Sequence, residues 1–193
     1  TGCSSSATVN AGIAAGGVAG GTNIGASLTG CYATGDVTLV SNDIGTCYAG
    51  GVVGNNGSSS TLKACYAWGS VTGSKSSGTV YVGGVTGSND LGTLTACYHA
   101  KGTVNGPAGT TGGVAGRNFK DSMFGGGIIT ACYWGGNGQE QGIGEDQVGT
   151  GETTKVDGDW QNAVTQMNAA LSGKGWQYEL KDGSSLPTLK KEQ

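Results

Sequence analysis

The stretch GGVVGNNGSSSTLKACYAWGSVTG, residues 50–73, decides the fold because it returns along the chain. Its second half reappears as SLTGCYATGDVT at 27–38, TLTACYHAKGTVNG at 93–106 and IITACYWGGNG at 128–138. Its opening reappears as GGVAG at 16–20, GGVTG at 83–87 and GGVAG at 112–116. From each Gly-Gly-Val to the next Cys-Tyr is 15, 15, 14 and 20 residues, and successive cysteines from Cys3 to Cys132, Cys47 aside, lie 28, 34, 32 and 35 apart. An elastic period near 30 is the mark of a repeat architecture, with the slack in loops.

CYATGDVT at 31–38 aligns without a gap to CYAWGSVT at 65–72, and the opening TGCSSSATVN places Cys3 beneath Cys31. The pieces TVYVGGVTG, TLTACYH and GTVNG read as short strands separated by Gly, Asn, Asp and Ser turns, two or three to a repeat with no helix between. An all-β fold follows: a β-solenoid (β-helix) of about five Gly-rich coils, stacked at about 4.8 Å. Glycine serves the tight corners by reaching positive φ, and SNDIGT (41–46) and SNDLGT (88–93) read as turns.

Rows emerge from the alignment. Leu28, Leu62, Leu94 and Ile129 stand three positions before a cysteine; Val9, Val37 and Val71 stand six after; Val18, Val52, Val85 and Val114 belong to the Gly-Gly-Val segments. All are expected to point inward. Because leucine to cysteine is an odd spacing, Cys3, Cys31, Cys65, Cys97 and Cys132 face inward only if a corner intervenes; otherwise Tyr32, Tyr66, Tyr98 and Tyr133 do. Lys63 in an otherwise threonine row favours inward cysteine. Cys47 aligns with Val80 and Ile13, so it reads as a small core hydrophobe.

Six cysteines in a ladder leave stacked disulfides as the alternative, although parallel side chains make the dihedral difficult. A metal site is not expected: there is no CxxC, and the single histidine, His99, reads as a surface or corner residue.

The stretch at 50–73 resembles the GLUG-motif repeat, and CYATGDV at 31–37 matches the second half of that pattern residue for residue. The resemblance covers about residues 1–138, departing in the Ala or Gly before each cysteine, where the family often has Asn, and in Ser4 for Tyr. It implies a bacterial surface or secreted protein, adhesin-like and of the kind found in gut Bacteroides-type bacteria, with the repeats as accessory modules.

After residue 139 the repeat lapses. DWQNAVTQMNAALSG (159–173) offers Asp159 as N-cap, Trp160, Val164, Met167 and Leu171 at helical spacing, and Gly173 as a stop. Residues 1–139 are thus expected to form the repeats, and 140–193 a linker and small α/β cap covering the last coil.

The charge balance narrows function. Thirteen acids against ten bases, with Arg117 the only arginine, leave no basic footprint for nucleic acid. No apolar run approaches a membrane span, and the chain reads as one part of a longer protein whose export signal or anchor lies elsewhere. Residues 1–120 hold only three acids, Asp36, Asp43 and Asp90, in differently phased positions, so paired carboxylates for glycan cleavage are not expected.

The expected function is a non-catalytic extracellular or cell-surface module, adhesin-like or a display scaffold, needing no cofactor or metal. Its ligand would be a host or microbial glycan or protein. A pure spacer and a polysaccharide-cleaving enzyme are the alternatives. Candidate binding residues are Tyr66, Trp68, Tyr98, Tyr133 and Trp134 from the aromatic row, and Arg117, Phe119 and Phe124 from the insertion RNFKDSMF (117–124).

Overall fold

A computed structural model describes residues 1–181 and 185–192. The chain is a β-solenoid of about four coils, wound from five parallel sheets with one helix near the C-terminus. The three coils between Ala14 and Asn105 each have five short strands, not two or three. In the coil that contains the opening stretch they are Cys47–Gly50, Val53–Asn56, Thr61–Lys63, Tyr66–Ala67 and Val71–Lys75. Strands this short carry too few residues for alternation to reveal them.

The repeat alignment is the sheet register. Leu28, Leu62, Leu94 and Ile129 pair in file, as do Tyr32, Tyr66, Tyr98 and Tyr133, and Val80 sits beside Cys47. The inward cysteine reading holds because a corner does intervene. Ala64, Ala96 and Ala131 lie at φ +51° and Gly30 at φ +65°, so the chain turns between leucine and cysteine and both side chains enter the core. Leu62 and Cys65 are fully buried.

The interior is pinched into two lobes. One holds the cysteine and leucine rows with Val52, Val85 and Val114; the other holds Val37, Val71, Val80, Val82 and Cys47. At the waist, a Cβ on Gly51 would stand 2.2 Å from the carbonyl oxygen of Gly84 and 2.6 Å from the Ala67 methyl. None of the Gly-Gly-Val glycines has positive φ, so they are needed for this close approach and not for the corner conformation expected from sequence.

The first coil is less enclosed. Cys3 takes its place in the file beside Cys31 but is exposed, and Val18 and Leu28 are half-buried, so the core ladder is complete only from the second coil onward. All six cysteines are free thiols, and stacked disulfides are not formed.

The segment after residue 139 does not sit over the end as a lid. Ile143–Asp146 and Thr153–Lys155 add strands to two of the solenoid sheets, continuing the coil past the expected boundary. The helix Gln161–Leu171 and the antiparallel pair Trp176–Glu179 and Thr188–Lys191 then lie along the flank formed by the tyrosine row. The N-cap position is Trp160, not the expected Asp159, which accepts the Gln161 amide at 3.0 Å from one residue before it; the helix ends with Ser172 as its C-cap, followed by Gly173 at φ +68°. Ala163, Val164, Met167 and Leu171 form its buried face.

Candidate functional site

The tyrosines leave the solenoid core but enter a second one. Tyr66, Tyr98 and Tyr133 are buried against Trp160, Met167, Leu171 and Tyr178 of the C-terminal unit. Tyr98 stacks on Tyr66 at 5.1 Å and meets Trp160 at 4.9 Å, and its hydroxyl donates to the Pro187 carbonyl. Trp134 is buried in the solenoid interior, with its Nε1 donating to Gln139 O at 3.1 Å. Tyr98, Tyr133 and Trp134 are therefore corrected from candidate ligand contacts to packing residues, because the C-terminal unit covers two of them and the coil encloses the third.

What remains open is the other end of that row. Tyr32 and Trp68 are half-buried, and with Tyr66 they line a groove of about 490 Å³ against Thr188 of the hairpin. The rings of Tyr32 and Tyr66 stack at 4.8 Å, 1° from parallel, and Trp68 leans on Tyr66 at 5.1 Å. Trp68 is held by its Nε1–H bond to Tyr98 Oη at 2.9 Å and by the Lys101 ammonium 4.1 Å from its ring. Ser4–Ser5, Ser6 and Thr34 supply the hydroxyl rim.

The 117–124 insertion divides in two. Arg117 and Phe119 fold back on the coil: Arg117 pairs with Asp90 at 2.6 Å, donates to Ser88 Oγ at 3.1 Å, and lies over Tyr81 at 4.6 Å and Phe119 at 4.7 Å. Tyr81 donates to Glu145 Oε2 at 2.7 Å. These groups satisfy one another, which assigns them to holding the corner. Met123 and Phe124 sit exposed at the tip of a small hairpin, and Phe124 borders a shallow hollow with Ser58, Ser59 and Leu91.

Two of the three acids in residues 1–120 are engaged locally. Asp36 accepts the Ser70 amide at 2.8 Å in one corner, Asp43 lies exposed in another, and Asp90 is the Arg117 partner. Among the described residues no group of three His, Cys, Asp or Glu side chains is placed to hold a metal ion. Burial pushes the thiols of Cys65 and Cys97 up, and Cys31 is raised first by its hydrogen bond with Cys65 and then by burial. These cysteines remain protonated packing groups.

His99 is fully buried, not the surface or corner residue expected. It stands at the waist, in file with Ala67 and Trp134. Asn137 Nδ2 donates to its Nδ1 at 3.1 Å, so its Nε2–H donates to Gly69 O at 2.9 Å. Burial lowers its pKa to about 4.

A polar spine escaped the sequence reading altogether. Thr22 Oγ1 donates to Asn56 Oδ1 at 3.0 Å, Asn56 Nδ2 to Asn89 Oδ1 at 2.8 Å, Asn89 Nδ2 to Asn118 Oδ1 at 3.0 Å, and Asn118 Nδ2 to Asp146 Oδ1 at 3.2 Å. The three asparagines are fully buried. Each stands six residues after the first glycine of its Gly-Gly-Val segment, a recurrence visible in the alignment. Asn56, which precedes Gly57 and Ser58, is thus a rung of this spine.

Compared with protein-family models, curated proteins and solved structures, the chain matches none. The β-solenoid repeat architecture therefore stands on the register and the repeats themselves.

Proposed function

We propose that this chain is a non-catalytic extracellular repeat module of the GLUG-motif kind, serving a bacterial surface protein as an adhesin-like scaffold that presents a binding face. One observation carries the reading: a half-open aromatic groove rimmed by hydroxyls lies on the flank of the solenoid, against Thr188 of the C-terminal hairpin. Five sheets in continuous register and a buried asparagine spine support a rigid carrier. The local engagement of Asp36 and Asp90 weighs against the polysaccharide-cleaving alternative.

A pure spacer is the second reading, favoured by the burial of much of the aromatic row under the C-terminal unit. A screen of the folded protein against host and microbial glycans and matrix proteins, run beside an assay for released saccharide products, separates the readings. Saturable binding without product supports the module. Silence across the screen favours the spacer, and product release would assign an enzyme.

A further inference from the structure

We infer that the groove between the tyrosine row and the C-terminal hairpin is a binding site for a short neutral saccharide, a proposal that rests on the binding-module reading above. A sugar ring presents an apolar C–H face and a rim of hydroxyls. Its complement is a flat aromatic platform flanked by neutral donors and acceptors. The half-buried Tyr32 ring supplies that platform, backed by the buried Tyr66 ring stacked on it 1° from parallel, and the half-buried Trp68 forms a tilted wall.

The platform is fixed before any ligand arrives. Tyr32 and Tyr66 are neighbours in a parallel ladder, and Trp68 is pinned by Tyr98 and Lys101, so little side-chain freedom is lost on binding. Among the described residues the lining contains no acid and no base: beside the aromatics it has the serines at 4–6, Thr34 and Thr188, and the Lys101 ammonium is engaged on the Trp68 ring. A lining of hydroxyls fits a neutral ligand.

A second observation points the same way. Thr188 Oγ1 is buried with no hydrogen-bond partner among the described residues, and Thr188 lines the groove. A buried hydroxyl without a partner is costly, and a ligand hydroxyl at the groove floor removes that cost. The aromatic platform ends where Trp160 and Tyr178 close over Tyr98, which limits the bound unit to a short oligosaccharide. The volume of about 490 Å³ falls within the range of small-molecule sites.

The test is a ¹H–¹⁵N chemical-shift titration of the intact protein with neutral gluco-, manno-, galacto- and N-acetylglucosamine oligosaccharides. Trp68→Ala, Tyr32→Ala, Thr188→Val and Phe124→Ser variants are each confirmed folded by spectral dispersion. The expected result is shifts centred on Tyr32, the Trp68 indole and Thr188. Affinity falls about tenfold in Trp68→Ala and about fivefold in Thr188→Val, and is unchanged in Phe124→Ser. Thr188→Val keeps the side-chain shape, so its loss of affinity is not a folding effect. No shifts with any oligosaccharide, or shifts centred on the hairpin tip and abolished by Phe124→Ser, would overturn the groove assignment. In those cases a partner captured in the wider screen leaves the module reading standing, and a silent screen removes both.

Discussion

Tyr178 donates its hydroxyl to the carbonyl oxygen of Ala96 at 2.9 Å, and Ala96 holds the left-handed corner, φ +51°, between an inward leucine and an inward cysteine. The C-terminal unit thus grips the corner that lets both rows enter the core. That conformation strains any residue with a Cβ, yet Ala64 and Ala96 keep theirs fully buried against this unit.

Gly30 occupies the same corner two coils before Ala96, where a Cβ would fall 2.3 Å from the Trp176 ring. Alanine is tolerated at this backbone conformation in three other coils, so the contact decides the outcome. Gly30→Ala is expected to destabilise the protein by about 1–3 kcal/mol in chemical denaturation and to shift the Trp176 indole resonance.

Asn89 is the middle rung of the asparagine spine. Asn89→Ala strands the Asn56 amide donor and the Asn118 carbonyl acceptor, both buried. The expected loss is about 2–5 kcal/mol, read from urea unfolding midpoints, whereas Asn105→Ala, on an exposed side chain, changes stability little.

His99 makes stability depend on pH in a defined window. Its folded pKa of about 4 lies below the ordinary 6.5, so the unfolded chain takes up the proton first. The stabilisation is complete above pH 6.5 and declines as pH falls toward 4. Between pH 7 and pH 5 this one residue should account for a loss of about 2 kcal/mol, and His99→Gln should flatten that part of the profile.

Thiol accessibility follows the ladder. Of the six cysteines only Cys3 is exposed. A thiol reagent added to the native protein should label Cys3 rapidly and the other five only on unfolding, and Cys3→Ser should abolish the fast phase.

Much of this architecture was legible because the repeat is strict where the sheets pair. Aligning cysteine on cysteine and glycine on glycine gave the rows that the ladder realises, and Asp159, Leu171 and Gly173 marked the helix. The five-strand coil was not legible, since Tyr66–Ala67 or Val104–Asn105 is too short to show a period. The docking of the C-terminal unit on the flank was hidden too: a tyrosine pointing out of one core looks the same in sequence whether water or a second core covers it. The burial of His99 is not legible locally, since its partner Asn137 lies 38 residues away. Asn56, Asn89 and Asn118 were visible as a recurrence, but asparagine near glycine reads first as a turn former.

One aromatic row is divided, sealed under the C-terminal unit at one end and open as a groove at the other. Hydroxyl-radical footprinting with residue-level mass spectrometry tests it most directly. Tyr32 and Trp68 should be oxidised readily, while Tyr98, Tyr178, Trp134 and Trp160 should be protected until the protein unfolds. Equal reactivity along the row, or protection of Trp68 with exposure of Tyr98, would contradict the account.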